Sequence, residues 1–174
     1  MPFTTLEIDP AKINVGPAWD GEAYTGDAVS LTLLQATGVA RAQFVVVVAI
    51  DDADASVRLA ELLRRHFPTV RIFARAHDRS HVFRLMDLGV THIQRETYHA
   101  SMLLTEQLLE GLGLSRRQAS QAVSTFQSHD ERELALGHVA YKEAVAKTQN
   151  PPGTAAALQA LLAGDDRLCQ EPLD

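Results

Sequence analysis

The run FVVVVAIDD, Phe44 to Asp52, is the feature that most restricts the fold. Five β-favouring residues lead without a polar break into a region ending in two carboxylates. A strand apolar on both faces is buried on both faces, as in a parallel sheet covered by helices. Carboxylates after its carboxyl end stand where such sheets open a ligand crevice. The usual occupant is a nucleotide, whose phosphates need a glycine-rich turn at a helix N-terminus. No such turn lies upstream of Phe44.

The flanking pattern supports an α/β alternation. FTTLEID, residues 3 to 9, reads as a strand, and Pro10 suits the first turn of a helix. Gly16 and Pro17 stand inside that helix and together cost about 4 kcal/mol relative to alanine, so it should be short. A strand at Glu22 to Thr25 and a helix at Ser30 to Val39, closed by Gly38, precede the buried strand. After it come a helix at Ala53 to His66 stopped by Pro68, a strand at Thr69 to Ala76, and a capped helix at Asp78 to Val90. A last short strand follows at Thr91 to Glu96. Short links and this order argue for a parallel, doubly wound sheet. Helices are expected at Tyr98 to Gly111 and from Ser115 to about Thr148. Asn150-Pro151-Pro152-Gly153 then breaks the chain before a weakly ordered acidic tail.

A chain of 174 residues, 46% hydrophobic, can bury one sizeable core. Its net charge of −6 gives no electrostatic reason to bind nucleic acid or an anionic membrane. Cys169 is the sole cysteine, which excludes an intrachain disulfide and a cysteine-built zinc site and fits a reducing cytoplasm. No apolar run approaches a membrane span, so any membrane role is expected to come through a partner. The seven histidines form no HExxH, and no G-x-S-x-G elbow is present, so an enzyme is not expected. Gly111-Leu112-Gly113-Leu114 falls between helices and reads as a terminator.

Polar residues gather instead at the strand ends: Glu7 and Asp9, Asp27, Asp51 and Asp52, Arg75, then Arg95 and Glu96. In a doubly wound sheet these positions share one rim. Such residues also serve as turn formers or solvated ends.

The run from Phe3 to about Ala135 resembles the cytoplasmic regulatory domain of potassium transport proteins, the RCK, KTN or TrkA-N domain, and within it the glutathione-gated Kef potassium-efflux antiporters. The likeness is carried by LEIDP at Leu6 to Pro10, YTGDA at Tyr24 to Ala28, LLQATGVARA at Leu33 to Ala42 and VAIDD at Val48 to Asp52. HFPTVRIFARAHDRSH, His66 to His81, and RLMDLGVTHIQRET, Arg84 to Thr97, make it specific. The resemblance implies a regulatory, non-catalytic Rossmann-like domain that binds an adenine nucleotide, AMP or NAD(H), dimerises through its later helices and gates a membrane antiporter. By position it implies Glu7, Asp27, Asp51 and Arg75 at the nucleotide and Arg95 at glutathione. A planar, always charged guanidinium suits a glutathione carboxylate.

The sequence departs from the family at three places. The first βα unit, with its phosphate cradle, is missing before FTTLEID, so nucleotide binding is expected to be weak or lost. Gly16-Pro17 disturbs a helix that the family keeps regular. Asp130 replaces a characteristic asparagine and would repel a peptide carboxylate. The missing strand belongs at the centre of the sheet. Either the remaining strands close the gap, another chain supplies a strand, or the sequence is a fragment. The expected organisation is an incomplete Rossmann-like domain over 1–97, dimerisation helices over 98–149 and a loosely ordered tail over 150–174. The alternative function is a dimeric interaction module without ligand binding. A Rossmann-type oxidoreductase is disfavoured, since neither phosphate loop nor proton-transfer residues are present.

Overall fold

Every ladder in the computed structural model pairs its strands in parallel. The structure describes residues 3–13, 21–42, 44–47 and 50–149. Strand β1 is Phe3–Glu7, β2 Gly21–Thr25, β3 Phe44–Val47, β4 Arg71–Ala76 and β5 His92–Arg95. Helix α1 is Leu31–Ala36, α2 Ala53–His66, α3 Arg79–Asp87, α4 Tyr98–Gly111 and α5 Arg116–Gln149. Two 3-10 turns, Pro10–Lys12 and Val39–Arg41, complete the order. The helix predicted after Pro10 is that first turn, and Gly16-Pro17 lies outside the described residues. Gly38 adopts φ +76 and ends α1 where a left-handed residue was expected.

The strands form two sheets, β1-β2 and β3-β4-β5. Among the described residues no ladder joins β1 to β3. This Rossmann-like arrangement of parallel strands and intervening helices is the predicted fold class, with its sheet in two parts.

Alternation along β4 explains where the core lies. Ile72, Ala74 and Ala76 are buried, whereas Arg71, Phe73 and Arg75 occupy the other face. Helix α2 contributes Leu59, Ala60 and Leu63, one stripe at helical spacing, and α3 adds Val82 and Leu85. The two helices pack on each other, α2 also on β3 and α3 on β4 and β5. Complete burial of a side chain such as Leu63 or Leu85 is worth roughly 1.5–3 kcal/mol. Arg64 of α2 staples this layer by donating from Nε to the Leu88 carbonyl at 3.2 Å and from Nη2 to the Gly89 carbonyl at 2.7 Å. Those carbonyls close α3, where Gly89 takes φ +72.

Two compact units divide the chain, Met1–Val123 and Ser124–Asp174. The first holds both sheets, α1 to α4 and the start of α5, where Ala119 and Val123 are buried. The described part of the second is the remainder of α5, with Asp130 buried. The tail predicted for 150–174 lies outside the described residues.

Candidate functional site

The carboxyl ends of β3, β4 and β5 carry a closed ring of polar contacts. Arg75 stands on β4 at the position paired with Gln94 of β5. Its Nη2 meets Asp51 Oδ1, beyond β3, at 2.9 Å, and its Nη1 meets Glu96 Oε1, beyond β5, at 3.0 Å. Glu96 Oε2 lies 2.5 Å from His77 Nδ1. His77 Nε2 returns to the Asp51 carbonyl oxygen at 2.6 Å. Glu96 is aligned because its backbone N–H donates to the Ala76 carbonyl at 2.9 Å, extending the β4-β5 ladder by one bond. The three strand ends are thus tied by the Arg75 guanidinium, the His77 ring, the Asp51 and Glu96 carboxylates and the Asp51 carbonyl.

Below the ring, α3 begins at Asp78, whose Oδ1 accepts from the His81 N–H at 2.8 Å. His81 is 2% exposed, and its Nδ1 accepts from the His77 backbone N–H at 3.3 Å. That acceptor role puts the neutral ring's proton on Nε2. Burial, then the neighbouring His77 and Arg84, holds the His81 imidazole below the ordinary histidine range. Helix α2 is capped in the same way, with Asp52 Oδ1 accepting from the Asp54 and Ala55 N–H groups at 2.8 and 3.2 Å. Those bonds to Ala55 and Asp54 hold the Asp52 carboxyl below its usual range.

At the other sheet, Glu7 ends β1 and accepts the Asp9 N–H through Oε1 at 3.0 Å, while its carbonyl accepts the Gly26 N–H at 2.9 Å. Asp27 follows β2 and accepts the Val29 N–H at 2.9 Å, forming an Asx turn before α1. Gly26 has φ +154, a backbone conformation that residues with a side chain rarely adopt, so the turn favours glycine. Asp27 is exposed and Glu7 half-buried. Arg95, the last residue of β5, places its guanidinium carbon 3.7 Å from the Tyr98 ring centroid.

The five residues that the resemblance implies at ligands, Glu7, Asp27, Asp51, Arg75 and Arg95, therefore all sit at or just beyond carboxyl ends of parallel strands. The structure joins Asp51 to Arg75 directly, and Glu7 and Asp27 occupy the ends of the separate β1-β2 sheet. The sequence reading set Glu96 at the strand rim without a specific contact and assigned His77 no place there. The available signal was their position, one residue beyond β4 and one beyond β5.

Comparison with known proteins accords with this geometry. Residues 1–96 match the model of the TrkA-N domain. The chain is 35% identical over 155 residues to the glutathione-regulated potassium-efflux system protein KefC of Salmonella paratyphi B, an alignment covering 89% of this chain. It spans 24% of that relative's length. Among solved structures it is similar to the Shewanella denitrificans Kef CTD in an AMP-bound form, with TM-score 0.72, 34% identity and coverage of 79% of this chain and 83% of that one. The TrkA-N domain of the Escherichia coli inner membrane protein ybaL shares the fold, with TM-score 0.54, 17% identity and coverage of 60% and 77%. The parallel Rossmann-like frame, the polar strand rim and the match across residues 1–96 together make this chain a member of the TrkA-N domain family, with its likeness to Kef proteins extending into α5.

Proposed function

We propose that this chain is a Kef-type regulatory module that recognises an adenine nucleotide at the strand rim and controls potassium efflux through a membrane antiporter partner. The observation that carries the reading is the 34% identity, over 79% of the chain, to a Kef domain whose structure contains AMP. Glu7 and Asp27 are the acceptors proposed for the ribose and adenine side, with Asp51 and Arg75 closing the rim. Binding is weak, because Arg75 is already neutralised by Asp51 and Glu96. The N-termini of α2 and α3 also carry their own aspartate caps, which oppose an incoming phosphate. Each charge-assisted hydrogen bond that a phosphate would make, and lacks here, is worth about 1.5–3 kcal/mol. Arg95 is the proposed contact for the carboxylate of glutathione or its conjugates. Among the described residues no helix is long and apolar enough to cross a membrane, so the proposed position beside the inner membrane rests on the transporter partner.

NMR tests the nucleotide reading on the labelled full chain. Added AMP should shift the amides at Glu7, Gly26, Asp27 and Asp51 together. Shifts scattered away from the strand ends, or none at millimolar AMP, would remove the site.

A second reading is favoured by one observation: α4 buries none of its residues and exposes Leu103, Leu104, Leu108 and, just beyond it, Leu112. A soluble chain rarely leaves such a stripe uncovered. It supports a homodimer whose interaction role would persist without any ligand.

A further inference from the structure

We propose that His77 is a proton-binding site that latches the carboxyl ends of β3 and β5 together when its ring is doubly protonated. The argument is one of donors and acceptors. Nδ1 faces a carboxylate oxygen of Glu96 at 2.5 Å, and Nε2 faces the Asp51 carbonyl oxygen at 2.6 Å. These partners, a carboxylate oxygen and a backbone carbonyl oxygen, are acceptors, and the other Glu96 oxygen meets Arg75. A neutral imidazole has one N–H and can satisfy one of them, leaving a lone pair against a lone pair at the other. The imidazolium satisfies both. Uptake of one proton from solvent therefore makes the second bond, and its loss breaks the ring either at β3 or at β5.

Charged and titratable groups face His77 from each element packed against it. Asp51 from the end of β3 and Glu96 beyond β5 are negative, whereas Arg75 of β4 is positive. From α3, His81 stacks on His77 with ring centroids 5.8 Å apart, and Asp78 caps the helix. Farther along, Arg84 and Asp54 form their own pair at 2.7 Å. His81 takes the neutral role, accepting the His77 N–H while buried. The pair divides the work, one ring gaining and losing the proton and the other holding the backbone in place. The His77 and Glu96 side chains are 32% and 33% exposed, so solvent protons reach the ring without unfolding. Imidazole is the side chain whose charge changes across physiological pH. The latch depends on no bound nucleotide.

A pH titration of the isotopically labelled full chain by NMR, from about 8.5 to 5.5, tests it. The His77 ring carbons, the Asp52 amide nitrogen, which shares its peptide group with the Asp51 carbonyl, and the Glu96 carboxyl carbon should move in one common step. In His77→Gln the Asp52 and Glu96 steps should vanish. In Glu96→Gln the Asp52 step should survive while β5 amides cease to respond, which separates the two arms. Loss of the Asp52 and Glu96 steps in His81→Asn with the His77 step intact would assign the effect to His81 and overturn the proposal. So would Asp52 and Glu96 steps that persist in His77→Gln, or that run independently of the His77 ring.

Discussion

The guanidinium of Arg95 lies over the ring of Tyr98, its carbon 3.7 Å from the ring centroid, joining the end of β5 to the first residue of α4. This places a planar cation where the sheet meets the helix that exposes its leucines. The stacking holds the fork in one orientation, at a gain of about 0.5–1 kcal/mol at such a site.

Arg95→Ala should weaken binding of a glutathione adduct by roughly 1.5–3 kcal/mol, the scale of a hydrogen bond to a charged group, with the melting temperature little changed. Arg95→Lys should also weaken it, because an ammonium lacks the two-pronged geometry. NMR titration reads both variants. Wild-type affinity in each would take Arg95 out of the site, and an unresponsive wild type would favour the ligand-free dimeric module.

The outcome for α4 is read by sedimentation. A homodimer is expected at tens of micromolar, and Leu104→Glu with Leu108→Glu should yield monomers that keep their helical content. These positions are 66% and 60% exposed in the isolated chain, so the substitutions cost the fold little. A monomeric wild type would contradict the prediction.

His81 sets a pH dependence of stability with a definite sign. Burial, the first cause, keeps its folded-state proton affinity below the unfolded value near 6.5. The stability contributed by the neutral ring is present above that value and is lost as pH falls toward the lower folded one, because the unfolded chain takes the proton first. Urea midpoints should therefore fall less between pH 7.5 and 5.5 in His81→Asn, whose oxygen can still accept the His77 N–H, than in the wild type. Equal slopes would show that the buried ring does not contribute.

The cap of α3 offers a local test. Asp78→Ala removes the acceptor of the His81 N–H and should cost about 0.5–2 kcal/mol in chemical denaturation, while Asp78→Asn should retain most of it. A loss equal in both variants would mean that charge rather than capping matters.

Much of this arrangement was legible because local chemistry marks its boundaries. Asp52 and Pro68 bracket α2, which spans the predicted Ala53–His66, and α4 likewise spans Tyr98–Gly111. The strand-end acids were legible too, since a buried apolar run announces where it stops. The split into two sheets was not legible, because pairing between strands distant in sequence leaves no periodic trace. The same limit hid the role of His77. Its ring reaches Asp51 across 26 positions, and Arg75 reaches Asp51 across 24, contacts that no motif spacing encodes. Conversely, Asp51 and Arg75 were read as separate nucleotide contacts, and only the folded chain brings them together as an ion pair.

The most direct test of nucleotide recognition at the rim is calorimetric titration of the full chain with AMP and with NADH. Saturable binding is predicted with a Kd weaker than about 10 μM, some −7 kcal/mol, and Glu7→Ala should weaken it further. No saturable heat with either nucleotide at millimolar concentration would contradict the account.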